Sequence, residues 1–475
     1  MDSTPPASEE LLQDEEQEAT LKHPVLHPAN KLHANSIQAA SKELPVPPPL
    51  PRILSSMSRE RVILSMLLLF ALLLHALGSA QFLGSQGWAY VLGGSTNTAD
   101  TNLLQTINTQ VKQANRTGTK PPPLTPEQYV DLIVQKMTLD QKLGQMMIVQ
   151  FTGSSYSLDL STMISQYNVG AVIMFSVNGN IVNKTQLKEL TQQMQSNSTL
   201  IPLAIATDQE GGYVNRLQGL DGPRPAPATI GATNDPTKAT AAGIQDALDL
   251  ASYGINLNLA PVVDVDNTPY SELHQDLRTY GNTPTKVTQM VGAYLQGLQQ
   301  SGKVIGTLKH FPGLGSVIVD PHKGVPLLNR SKDQLEQIDW APYRALIQQG
   351  GVHAIMVTHE LVPALDKTRP SSLSNKVVQN ILRDEMGFQG VIMTDSLTML
   401  GVTDYYPPAQ AAALSVEAGC DLLMGAASPN EVATMINGIK QAIAAGTINQ
   451  QRINDSVRRI LLMKYAMGLL TIPKL

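Results

Sequence analysis

From Leu124 onward, short apolar runs alternate with longer stretches of helical periodicity, and that alternation limits the folds open to the chain. The runs cover 146–151, 170–175, 203–207, 257–263, 304–308, 354–358, 390–394 and 421–424. The intervening helix-like segments include 184–195, 237–253, 284–300, 332–348, 376–386 and 408–418. Apolar strands separated by helices imply a parallel sheet joined by crossover helices. Eight such units predict an α/β fold with a (β/α)8 TIM-type barrel over 124–475, and an open doubly wound sheet is the alternative. The barrel makes the sharper prediction, because polar residues after the strands must then meet at one mouth. Asp208, Asp264, Lys309-His310, His359-Glu360 and Asp395 all follow strand candidates.

The residues before the barrel divide into three segments. Residues 1–61 carry an acidic cluster (Asp14-Glu15-Glu16-Gln17-Glu18) and the run Pro45-Val46-Pro47-Pro48-Pro49-Leu50-Pro51, a composition unsuited to a core, and are expected to be a disordered cytoplasmic tail. Residues 62–83 are almost uninterruptedly apolar. As a helix they would reach about 33 Å, against about 30 Å for a hydrocarbon core, so one uncleaved membrane anchor is expected. A cleavable signal peptide is the competing reading, and the long preceding segment weighs against it. Arg52, Arg59 and Arg61 precede the run and the next basic residue is Lys112, which places the N-terminus inside and the barrel outside the cell. Residues 84–123 read as an extracellular stalk with a short helix around 103–111.

Charge and cysteine usage remove several function classes. A net charge of −5 with no basic patch gives no reason to expect a nucleic-acid partner. Cys420 is the single cysteine, so an intramolecular disulfide and a cysteine-based zinc site are both excluded. No Gly-x-Ser-x-Gly elbow and no His-Glu-x-x-His are present, and no metal is expected.

The densest chemistry follows the fifth run: Lys309-His310-Phe311-Pro312-Gly313, then Asp320-Pro321-His322. A carboxylate two positions from an imidazole can orient it and favour its protonated form, giving a group that donates and recovers a proton near neutral pH. A solvated loop pair fits the same triplet. Asp395 after the seventh run fits either a nucleophile or a helix cap.

Taken with Asp208-Gln209-Glu210-Gly211-Gly212, Leu259-Ala260-Pro261-Val262-Val263-Asp264-Val265, Ser372-Leu373-Ser374 and Gly387-Phe388-Gln389-Gly390-Val391-Ile392-Met393-Thr394-Asp395-Ser396-Leu397, these segments resemble glycoside hydrolase family 3, and within it the β-N-acetylglucosaminidases. The resemblance covers essentially 124–470. It implies that Asp395 is the nucleophile of a retaining exo-glycosidase and that His322, oriented by Asp320, is the acid/base. It assigns Asp208, Arg216, Arg278, Lys309 and His310 to the sugar hydroxyls, where salt bridges closing the mouth are the structural alternative for the two arginines. It implies a carbohydrate substrate such as a cell-wall fragment and no cofactor; a monomer is expected. His359 reads as a supporting or packing residue.

Three positions depart from the family pattern. Leu314 and Ser316 stand where a histidine and usually an aspartate follow the Lys-His-Phe-Pro-Gly run, and Tyr213 replaces an arginine after Glu210-Gly211-Gly212. Lost polar support predicts altered specificity or activity. A glycoside phosphorylase, whose imidazole acid/base would tolerate phosphate, and a non-catalytic glycan-binding barrel are the alternative functions.

Overall fold

The computed structural model of the chain describes residues 103–114, 124–318 and 325–473. The tail over 1–61 and the apolar run at 62–83 lie outside the described residues, and no helix among those described is long and apolar enough to cross a membrane.

All eight apolar runs contain strands: β1 (Met147–Val149), β2 (Ala171–Ile173), β3 (Ala204–Thr207), β4 (Leu257–Asn258), β5 (Ile305–Phe311), β6 (Ala354–Val357), β7 (Val391–Ser396) and β8 (Leu422–Met424). Each pairs in parallel with its neighbours in sequence, and β1 pairs with β8 through Met147↔Leu423, closing the barrel. Closure leaves no strand edge to pair elsewhere. The strands are mostly apolar, and residues such as Ile148, Val172, Ile205, Leu308, Ile355 and Ile392 are wholly buried.

The helices start where the sequence places caps. Asn183, Asp235, Thr283 and Ser428 each accept a backbone N–H of the helix that follows, and proline occupies the first turn of the helices Pro236–Ser252, Pro284–Gln299 and Pro429–Ala444. A capping oxygen satisfies an otherwise orphaned amide, and proline there gives up no hydrogen bond.

Three expectations change. The helix expected over 332–348 is broken: a wide turn at Leu335–Asp339 ends at Trp340, and a new helix runs over Ala341–Gln349. Pro342 has no N–H to give and its ring opposes the carbonyl four residues earlier, so one continuous helix cannot form. The run at 257–263 is a strand only at Leu257–Asn258, because Pro261 cannot donate to the ladder; Val262 regains a single bridge to Lys309. Conversely, β5 extends through Phe311, so Lys309 and His310 lie within a strand rather than in the loop expected after it. Phe311 stacks on Trp340 with ring centroids 6.1 Å apart and meets Tyr343 edge-on at 5.2 Å. Such pairs contribute about 0.5–1.5 kcal/mol each beyond burial and pin the end of β5.

The helix expected within the stalk is Leu103–Ala114. It packs on the helix Pro126–Lys136, burying Ile107, with the Tyr129 hydroxyl donating to Asn108 Oδ1 at 2.8 Å. At the end of the barrel where the strands begin, the buried Asp421 is held by Arg383, Arg452 and Arg459 at 2.8, 3.2 and 3.1 Å.

Candidate active site

Where the strands end, polar side chains surround a cavity of about 450 Å³. Asp208 and Glu210 arrive from the end of β3 and the short hairpin after it, whose strands are Gln209–Gly211 and Val214–Asn215. Lys309 reaches both of them from β5, with Nζ 2.6 Å from Asp208 Oδ1 and 2.7 Å from Glu210 Oε1. Arg278 closes a fork on Glu210, with Nε and Nη2 each 2.9 Å from a carboxylate oxygen, and reaches Glu272 at 3.3 Å. Burial alone would push the Lys309 ammonium to lower proton affinity, but the two carboxylates outweigh it and hold the group above its ordinary value. Burial likewise works against ionised Glu210, yet Arg278 and Lys309 hold its carboxyl well below the usual range. The result is a buried set of charges held ionised by one another against the cost of desolvation.

His310 is set by Asp264. Asp264 Oδ2 lies 2.8 Å from His310 Nδ1 and accepts the His310 backbone N–H at 3.0 Å, while Oδ1 accepts the Leu314 amide at 2.6 Å. On the other side of the ring Arg278 Nη2 stands 3.4 Å from Nε2. A guanidinium only donates, so Nε2 accepts and Nδ1 carries the proton toward Asp264.

Asp395 lies near the end of β7, lines the cavity, and accepts the Ser396 amide at 2.7 Å on Oδ1. It does not cap the helix Leu400–Thr403, which begins after Met399. His359 braces this strand end from below. Its Nε2 lies 2.9 Å from the Ser396 carbonyl, which can only accept, so Nδ1 receives the Ser372 hydroxyl at 2.7 Å. The histidine is wholly buried and so supports the strand rather than meeting a ligand.

Arg216 enters from the hairpin, with its guanidinium carbon 5.9 Å from the centre of the Phe175 ring; both residues line the cavity. Its Nε is buried with no hydrogen-bond partner among the described residues. Arg278 therefore matches the salt-bridge reading, and among the described residues no carboxylate pairs with Arg216. Asp208, Arg216, Arg278, Lys309, His310 and Asp395 are brought together at one mouth. Asp320 and His322 lie outside the described residues.

Glu210, Asp264 and Glu272 also shape the site, although no individual role was expected of them. Glu210 and Asp264 carried the same signal as Asp208, a carboxylate just past an apolar run, whereas Glu272 carried none. Leu314 lines the cavity through an apolar side chain, Ser316 accepts from Arg330 at 3.2 Å, and Tyr213 is exposed on the hairpin turn. Among the described residues, no group of three His, Cys, Asp or Glu side chains is placed to hold a metal ion. The cavity offers carboxylates and cations in alternation around one carboxylate at a strand end, an arrangement suited to a polyhydroxylated ring.

Comparison with known proteins agrees with this chemistry. The sequence model of the glycosyl hydrolase family 3 N terminal domain matches residues 138–463. Beta-hexosaminidase A of Pseudoalteromonas piscicida is 32% identical over 332 residues, which cover 64% of this chain and 55% of that protein, little more than half its length. Beta-hexosaminidase LpqI of Mycobacterium tuberculosis is 31% identical over 330 residues, covering 68% of this chain and 82% of that one. A glycoside hydrolase family 3 beta-N-acetylglucosaminidase from Paenibacillus sp. str. FPU-7 superimposes with a TM-score of 0.67 at 33% identity, over 70% of this chain and 63% of the other.

Proposed function

Since the chain belongs to glycosyl hydrolase family 3, a family of glycoside hydrolases, we propose that it is a retaining exo-β-N-acetylhexosaminidase that removes terminal β-linked N-acetylglucosamine from glycans or cell-wall fragments. The observation that carries this reading is the position of Asp395, in the same cavity as the Asp208–Lys309–Glu210–Arg278 charge network, in a chain similar to beta-hexosaminidases.

In the first step the Asp395 carboxylate attacks the anomeric carbon, the glycosidic C–O bond breaks, and protonated His322 gives its proton to the departing oxygen. In the second step neutral His322 takes a proton from water, whose oxygen displaces Asp395 from the same carbon. Two displacements return the original β configuration. The roles of His322 and of Asp320, which would orient the imidazole, rest on the sequence resemblance. Asp208, Arg216, Arg278, Lys309 and His310 would hold the sugar hydroxyls, and their mutual ion pairs pre-organise them before substrate arrives.

Purified full-length chain assayed on an aryl β-N-acetylglucosaminide tests the proposal. Asp395→Asn is expected to lower kcat by at least about 10³-fold with Tm unchanged, because it removes the covalent route. Unchanged turnover in that variant would end the mechanism. Proton NMR of the first-formed sugar should show the β anomer, and an α product would rule out retention. A phosphate arm identifies a phosphorylase by a sugar phosphate product, and tight sugar binding without turnover identifies a binding barrel. We also place the barrel outside the cell on an uncleaved anchor at 62–83; protease treatment of intact cells should degrade it.

A further inference from the structure

A second cavity, of about 430 Å³, opens beside the helices Pro227–Ala232 and Pro236–Ser252, and Glu210 lines both it and the catalytic cavity. The sequence explains why space remains there. Lys238, Ala241, Ala242 and Gln245 recur at helical spacing, so they share one helix face, and all four line the cavity. Alanine at the two central positions ends that face at Cβ. Pro225 and Ile230 add further apolar wall.

Within this wall Asp246 is short of partners for a charge. It is 3% exposed and lines the cavity. The Tyr294 hydroxyl donates to its Oδ2 at 2.7 Å, whereas Gln209 Nε2 reaches Oδ1 only at 3.4 Å and donates to Asn215 Oδ1 at 2.9 Å. A carboxylate offers about four acceptor sites, and two side-chain donors reach this one among the described residues. Burial, set against those two hydrogen bonds, pushes the carboxyl up to about 7. The nearby charges are already engaged: Arg224 pairs with Asp249, Glu210 pairs with Arg278 and Lys309, and Lys238 is exposed.

We propose that this cavity is a second ligand site, for a small amphiphilic amine whose apolar body fills the space beside the alanines and whose ammonium pairs with Asp246. The ammonium brings the donors that the carboxylate lacks and favours its ionised form, while the apolar walls take the body.

Occupancy reaches the catalytic cavity through Gln209. That side chain lies at the base of the hairpin that delivers Glu210 and Arg216, and it bridges Asn215 and Asp246. An ionised Asp246 draws the Gln209 amide more strongly, in competition with Asn215. A bound amine therefore loosens the hairpin and weakens substrate binding.

The probe is phenethylamine, with phenethyl alcohol as its uncharged match, titrated by calorimetry into the full-length chain. The amine should bind with a Kd on the order of 1 mM and the alcohol about tenfold more weakly. Asp246→Asn, which keeps the shape and removes the charge, should cost the amine about tenfold. Ala241→Phe fills the cavity from an exposed position and should abolish binding with Tm unchanged. No binding to the wild type, equal affinity for the two probes, or binding that survives Ala241→Phe would overturn the site. Loss of amine binding in Asp395→Asn would place the probe in the catalytic cavity instead.

Turnover of the aryl glycoside reads the coupling. Saturating amine should raise KM about fivefold with kcat nearly unchanged, and Ala241→Phe should remove the effect. A KM that the amine does not move would refute the route through Gln209. The coupling rests on the hydrolase reading, and the binding does not. An inactive wild type that still binds the amine ends that reading and leaves the site standing.

Discussion

Glu360 is the most unusual single residue near the site. It is wholly buried beneath the mouth, and no side-chain donor among the described residues reaches its carboxyl group. Burial, aided by the nearby charges of Asp264 and Asp395, outweighs the backbone amides of Glu360 and Gly313 and pushes its proton affinity well above the usual carboxylate range, so the folded protein holds it as a neutral acid. Above the ordinary glutamate value the unfolded chain releases this proton while the folded chain keeps it, so this residue's contribution to stability falls as pH rises. Glutamine reproduces the neutral acid without the titration. Glu360→Gln should therefore match the wild-type Tm near pH 4 and exceed it increasingly toward pH 8. A gap independent of pH would show that packing, not ionisation, governs the position. Asp339, pushed up to about 7 by burial against the opposing pull of Arg330, reinforces the same trend.

Among the elements, the hairpin at 209–215 bears the most on the site, since it delivers Glu210 and Arg216. Its base is fastened by side chains: Gln209 Nε2 donates to Asn215 Oδ1 at 2.9 Å, and Asn258 Nδ2 donates to the Gln209 carbonyl at 2.9 Å. Its turn depends on Gly212, where a larger residue would meet both a left-handed backbone and Ala226. Gly212→Val should destabilise the fold by about 1–3 kcal/mol and raise KM, because the displaced turn carries Arg216 away from the cavity. Thermal denaturation and steady-state kinetics check both effects. A variant with raised Tm and unchanged KM would refute the clamp. Strand β5 makes its own contribution. Its ladder shifts register between Leu308 and Phe311, which breaks the alternation of side chains and lets both Lys309 and His310 face the cavity.

On the scale of the whole molecule, the last helix, Gln450–Ala466, locks the barrel where β1 meets β8. Lys142 Nζ donates to Asn454 Oδ1 at 2.8 Å, Arg458 pairs with Asp131 at 2.8 Å, and Lys464 Nζ donates to Gln145 Oε1 at 2.8 Å. Lys464 is wholly buried with no ion-pair partner among the described residues, and burial pulls its proton affinity down to about 7. Between that value and the ordinary lysine value near 10.4 the unfolded chain binds a proton that the folded chain does not, so stability rises with pH across this window. Lys464→Met removes the buried amine at similar length. Its Tm should exceed the wild type's at pH 7, and the gap should shrink toward pH 10. Melting curves at several pH values decide the matter, and a lower Tm at pH 7 would mean that the hydrogen bond to Gln145 outweighs the cost of burying the amine.

The eight strands and most of the helices were legible because strand and helix periods belong to contiguous residues and survive whatever the chain later packs against. The polar residues at the strand ends were legible for a related reason: a barrel collects them at one mouth. Their pairing was not. Lys309 meets Asp208 across 101 positions, and nothing local distinguishes that partner from Asp264, which holds His310 instead. The exposure of Tyr213 and the burial of Glu360 were hidden for the same reason, since burial depends on what other segments cover. Periodicity by itself thus determined the order of strands and helices and the strand ends that supply the mouth, while the choice between a closed barrel and an open sheet waited on the pairing of β1 with β8. Only closure of the barrel, which makes distant charges neighbours in a low-dielectric interior, decided which groups pair, which stay neutral and which face the solvent.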